Sequence, residues 1–313
     1  MRSQLRGSIA PLGAAALVAV LLLWGGTASV EAQAPAAYTP ALTADGHPDL
    51  NGFWQAITTA NWDVEEHAPE VAPHEILVGA WLAKPPGFGI VEDGPIPYNA
   101  AGLARKQKYL ENRLKPDPLP PNTEPYDYSD PEAKCFHPGV PRGTYMQHPF
   151  QIVQSHNYPK IFMAYTFGGS SLRVINLDRT FPEAPGTNNP TELLENYVYQ
   201  GQSIGRWVGN TLEIETRYFN TEVWLDRTGN FYGENALVTE RYTPTSPFHM
   251  MYEVTIDDPA TFTRPWKMSL PLYKLVDPIS KLHILEFNCV PLTDEFAYGQ
   301  FKKGVFKLPE IIP

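Results

Sequence analysis

The chain predicts an all-β fold, an antiparallel meander closing into a barrel, with a two-sheet sandwich as the alternative arrangement. Three observations carry this expectation. From Gln202 to Trp266 apolar residues alternate with polar ones between turn residues, as in strands with one buried face. About nine such runs crowd the part of the chain beyond Cys135, and a helical period is clear in one place alone.

The first 34 residues read as a secretory signal. Arg2 and Arg6 precede the apolar run GAAALVAVLLLW, Gly13 to Trp24, and small residues follow with expected cleavage after Ala32 or Ala34. The run is short of the ~20 residues of a spanning helix, so a free periplasmic or secreted protein without an integral membrane anchor is expected. The signal carries neither a terminal cysteine nor a twin arginine.

Residues 35–134 form a proline-rich extension. PDLNGFWQ places the turn residues Asp49 and Asn51 before a short strand, and 61–99 show no sustained period. Asn99 to Lys115 is the expected helix. Asn99 caps it, Leu103, Tyr109, Leu110 and Leu114 share a face, and Pro116 ends it. A proline-stiffened connector then leads to Cys135 and to the barrel-like domain, expected over 135–313.

In that domain strands are expected at 150–155, 160–167, 171–177, 202–209, 211–219, 236–242, 249–257, 265–274 and 283–289. Hairpin connections are expected at Gly168 and Gly169, at Gly209 and Asn210, and across Thr243 to Phe248. An up-and-down barrel resembling the lipocalin group would leave no exposed edges and could enclose one small ligand.

Charge and composition narrow the partners. The whole chain carries −10; without Arg2, Arg6 and Glu31 the balance is 22 basic against 33 acidic residues, or −11. That argues against nucleic acid and anionic lipid. Proline, at 32 of 313 residues, is near twice the ~5 % average and marks a loop-rich chain. In an oxidising compartment the cysteine pair Cys135 and Cys289 reads as a disulfide. The competing reading, a metal held by Cys135, His137, His148 and His156, matches no familiar zinc spacing. No metal and no cofactor is expected.

Strand phase nominates the site. Val238, Glu240 and Tyr242 share one face of ALVTERY, so an inward Val/Tyr face makes Glu240 a buried carboxylate. Glu286 is a second such candidate, and Arg173, Arg206 and Arg241 are the available cations. Carboxylates in apolar surroundings serve as acids, bases or ligand anchors, or pair with arginines as a structural network. Trp207, Trp224 and Trp266 are candidate stacking platforms, with core packing the plainer role for Trp207. Trp224 lies in a polar turn with Asn220 and Asp226, and His148 is placed as a general base before the first strand. No nucleophile elbow, P-loop, dinucleotide fingerprint or HExxH occurs.

The segments CxxPGVPR (Cys135 to Arg142), PFQIVQ, SIGRWxGxTLxxxT, WLD, TERY and VTIDDPxxxxxPW resemble a large group of exported bacterial proteins of unknown function. The likeness spans about residues 46–290 and implies a shared fold and site without an activity. It departs where many relatives carry a histidine-containing PHS-type segment and this chain has Phe231 to Glu234.

Three functions are consistent with these residues. The favoured one is a cofactor-independent enzyme of the lyase, isomerase, hydratase or cyclase type acting on a small apolar or aromatic molecule. Glu240 or His148 would act as acid or base, Asp226 as partner, and Arg206 as anion stabiliser. Trp224, Trp207, Asn220, Glu286 and Arg142 would contact substrate. The alternatives are a noncatalytic periplasmic binding protein and a carbohydrate-active or carbohydrate-binding protein. The density of ionisable residues favours the enzyme, because inward charges cost desolvation. Oligomeric state is not encoded in any pattern found.

Overall fold

The computed structural model describes residues 38–70, 83–112, 130–134, 136–167, 171–177, 179–181, 200–219, 223–276 and 283–284. The predicted signal segment, Cys135, Asn220, Glu286, Cys289 and the Gly168–Gly169 turn lie outside the described residues. Among the described residues no helix is long and apolar enough to cross a membrane.

Nine strands close a barrel. They are β1 (Gly52–Ala56), β2 (Phe150–Gln154), β3 (Lys160–Tyr165), β4 (Leu172–Asn176), β5 (Gln202–Val208), β6 (Thr211–Arg217), β9 (Leu237–Ser246), β10 (His249–Asp257) and β11 (Trp266–Lys274). A separate ribbon pairs β7 (Val223–Trp224) with β8 (Phe231–Tyr232). Alternation along each strand sends one set of side chains inward. Ile214, Thr216, Val238, Glu240, Tyr242, Tyr252, Val254 and Ile256 are all buried on that phase.

The chain visits the barrel strands in spatial order, and β11 returns to β1. Strict up-and-down alternation is impossible in such a ring, because an odd number of strands cannot alternate direction and close. One neighbouring pair must run parallel, and it is β4 with β5, registered at Ile175 with Ser203 and Asn176 with Ile204. A parallel neighbour needs a long crossover instead of a tight turn, and the chain between Asn176 and Gln202 supplies it. Gly205 lies at this seam. A Cβ there would sit 2.8 Å from Ile175 Cγ2 and 3.0 Å from Leu177 Cδ2.

The closing strand corrects the expected domain division. β1 comes from the proline-rich extension and pairs on one side with β2, Gly52 opposite Ile152, and on the other with β11, Trp54 opposite Lys274. Without it β2 and β11 would present unpaired backbone edges. His283 and Ile284, the described part of the expected last strand, carry no strand structure.

The turns follow local chemistry. Gly209 takes φ +60 ahead of Asn210 in the β5–β6 hairpin, a conformation glycine adopts without strain. The expected six-residue connection from Thr243 to Phe248 is tighter: β9 runs on to Ser246, and Pro247 and Phe248 alone make the turn.

Helix α1 (Ala100–Asn112) begins where expected, with Asn99 Oδ1 accepting from Gly102 N–H at 2.8 Å. Of the expected face, Tyr109 is buried, together with Gly102, whereas Leu103 and Leu110 are 46 % and 36 % exposed; Leu114 lies outside the described residues. The start of the helix is held against the turn after β10, Asn99 donating from its amide to Ala260 O and from its backbone to Thr261 O. That anchorage directs Tyr109 onto Trp224, ring centroids 4.8 Å apart, and edge-on to Phe231 at 5.3 Å. A second short helix, α2 (Arg142–Tyr145), has all four residues buried.

Candidate functional site

Glu240 faces the barrel interior and is fully buried. Its register explains why. It pairs with Ile214 on β6 and Val254 on β10, inside a layer that is otherwise apolar. A lone carboxylate there would be strongly disfavoured, and three donors answer it, from β9 itself, from the adjacent β10 and from β4 across the interior. Arg173 on β4 donates from Nη2 to Glu240 Oε2, while Tyr242 and Tyr252 donate to Oε1 at 3.0 and 2.6 Å.

Arg173 is equally buried. Its Nε donates to Ser203 Oγ at 2.9 Å and its Nη2 to Thr216 Oγ1 at 2.8 Å, and these two hydroxyls lie 3.1 Å apart. Burial opposes the guanidinium charge, but Glu240 beside it outweighs burial and holds the group above the usual arginine range. Burial, reinforced by Glu240, pushes the Tyr242 and Tyr252 phenols well up, so both stay protonated donors. Thr144 on α2 reaches Tyr242 OH at 3.3 Å. Tyr165 on β3 has its hydroxyl beside Arg173 and Thr144, both of which interact with its oxygen, and donates to the sulfur of Met163, at 3.5 Å.

In this cluster one strong donor group is unused. Arg173 Nη1 is buried and has no hydrogen-bond partner. A buried unpaired donor carries a desolvation cost of about 1–3 kcal/mol, more when charged, so an acceptor reaching it would gain that amount. Glu240, by contrast, has both oxygens engaged by these three donors.

A second buried cluster holds Arg142. It donates in a fork to Asp130, 2.7 Å on both arms, to Glu132 at 2.7 Å and to Asn61 at 2.8 Å. Arg227 makes its own fork to Glu132 at 2.8 and 2.7 Å and lies over the Trp62 ring at 4.7 Å. Burial raises the Asp130 carboxyl despite Arg142, whereas at Glu132 the two arginines overcome burial and lower it. Two cations balance two anions, and residues 61, 130, 132, 142 and 227 are tied together. Arg142 therefore acts in this structural knot and not as an open substrate contact.

The remaining expected residues disperse. His148 is half-buried beside Phe167, ring centroids 6.0 Å apart; burial lowers its pKa, and its electrostatic neighbours are Glu132 and Arg227. Asp226 is fully buried and organises its own loop, accepting from Val64 N, Thr228 N and Oγ1, and Asn230 N and Nδ2. Arg206 is corrected outright. Its side chain is 60 % exposed and pairs with Glu213 and Glu215 on the outer wall, because its phase is opposite to that of Ser203 and Gly205. Trp224 is corrected as well: it is buried against α1 and offers no open platform. Trp266 is buried in the core, and Trp207 is half-buried with its ring stacked on His47 at 5.2 Å.

Of the predicted residues, Glu240 alone lies in the central cluster. Arg173 appeared in the sequence only as one available cation, and Tyr165, Tyr252, Thr144, Ser203 and Thr216 were missed. A signal existed for two of them. Ser203 and Tyr252 share the phase of the inward residues of their strands, as Tyr242 does with Glu240. Among the described residues no group of three or more His, Cys, Asp or Glu side chains is placed to hold a metal ion. Comparison with models of known protein families, with curated proteins and with solved structures finds no match for this chain.

Proposed function

We propose that the barrel interior binds a small, largely apolar molecule whose single polar contact is made at the Arg173–Glu240 centre. The observation that carries this reading is the unpartnered Nη1 of Arg173, set in a cluster whose other charged atoms are satisfied. Ligand sites are typically apolar with a few placed polar groups, and this centre is ringed by Ile214, Val254 and Met268. Native mass spectrometry of the purified protein tests it. A bound small molecule that is lost from the Arg173→Met, Glu240→Gln double variant is the expected result; a chain that carries nothing and takes up nothing overturns it.

A second reading, a cofactor-independent lyase or isomerase, is favoured by one observation. Tyr252 OH, Glu240 Oε1, Tyr242 OH and Thr144 Oγ1 form a continuous hydrogen-bond chain in which both phenols donate to the carboxylate. In that reading Tyr242 is the acid and Glu240 positions it. Tyr242→Phe abolishes turnover of the bound molecule while leaving it bound; conversion at an unchanged rate removes this reading and leaves the binding function intact.

A further inference from the structure

We infer that the molecule held at this centre is electrically neutral and carries a carbonyl-type oxygen that accepts jointly from Arg173 Nη1 and the hydroxyl of Tyr165; this rests on the binding function proposed above. Two observations lead to it. The first is weakly used donor capacity. Arg173 Nη1 has no hydrogen-bond partner, and the Tyr165 hydroxyl, whose oxygen lies beside the guanidinium and Thr144, directs its proton to the weak acceptor Met163 Sδ at 3.5 Å. Two donors at one place match a single oxygen with two lone pairs, the geometry that polarises a carbonyl.

The second is charge balance. The positive charge of Arg173 is cancelled by Glu240 within the same cluster, and the tyrosines around it are neutral. A carboxylate or phosphate entering the site would bring an uncompensated negative charge into a region screened from water, next to a carboxylate already there. A ketone, ester, lactone or amide oxygen accepts the same two hydrogen bonds and adds no charge. The two donors thus choose an oxygen, and the Arg173–Glu240 pair rejects the anionic versions of it. An isolated water on Nη1 is the competing occupant.

Matched pairs of equal skeleton decide between these: acetophenone against benzoate, cyclohexyl methyl ketone against cyclohexanecarboxylate, and 2-nonanone against octanoate. Titration followed by intrinsic fluorescence is expected to give saturable binding of at least one ketone, at least tenfold tighter than its carboxylate partner, with a red-shifted carbonyl stretch in the infrared. Tyr165→Phe, which keeps the ring, is expected to weaken that ketone about fivefold and reduce the red shift at an unchanged melting temperature. Equal or tighter binding of the carboxylates overturns the inference, as does a bound ketone with an unshifted carbonyl or a crystal structure with only water on Nη1. If no pair binds but native mass spectrometry still finds a bound molecule, the ligand class is wrong and the binding function stands. If neither is seen, both fall.

Discussion

Arg173 and Glu240 meet inside the barrel although β4 and β9 are not neighbours: β5 and β6 run between them, and 67 residues of chain separate the pair. Their contact spans the interior and sets the polarity of everything around it. Breaking a buried pair from one side leaves an uncompensated charge, at a cost of about 3–5 kcal/mol. Arg173→Met is therefore expected to destabilise by roughly that amount, and adding Glu240→Gln to restore much of it. Urea unfolding of the two singles and the double measures the coupling, and additive costs would refute it.

Arg206 and Trp224 exchange the roles their sequence context suggests. Arg206→Ala removes exposed pairs with Glu213 and Glu215 and is expected to cost less than about 1 kcal/mol with ligand binding unchanged. Trp224→Ala empties the contact with Tyr109 and is expected to cost about 3–5 kcal/mol. Faster amide exchange in α1 is the accompanying signature. A larger effect from Arg206 than from Trp224 would reverse both assignments.

Asp63 gives the stability a defined pH dependence. Burial, then the nearby Asp226, pushes its carboxyl up from 3.8 to about 6, against the opposing pull of Lys84. A raised carboxyl means the fold favours the protonated form, so this contribution is fully present below about 3.8 and is lost as pH rises through about 6. At about 1.4 kcal/mol per pH unit the loss is on the order of 3 kcal/mol. Asp63→Asn removes it, so the stability of the variant relative to the parent is expected to rise between pH 4 and pH 7. A difference that stays flat across that range would contradict the assignment.

Gly205 tests the parallel seam. With Ile175 Cγ2 2.8 Å from the position of an added Cβ, Gly205→Ala is expected to overpack the β4–β5 contact at a cost of about 1–3 kcal/mol. Denaturant titration reads it, and a neutral outcome would mean that the two strands separate freely at this point.

Strand alternation is a local property, and for that reason much of the wall was legible. The runs at 202–208, 211–217, 249–257 and 266–274 announce themselves through period-two patterning, and the same patterning turns Glu240 inward. Phase alone would also have turned Arg206 outward, since it alternates with Ser203 and Gly205 along one strand. What phase does not contain is which strands become neighbours.

The chain by itself thus determined the all-β class, the position of most strands, the capped start of the helix and the inward face that carries Glu240. Only the tertiary structure decided that a five-residue strand from the extension closes the barrel, that one seam runs parallel, and that Arg173 answers Glu240. It also decided that Asp226 and Arg142 are spent on holding loops together. The physical reason is the range of each effect. Period and turn chemistry act over a few residues, whereas ring closure obeys the parity of the whole strand set, and a buried charge is answered by whichever segment the closed ring brings opposite it.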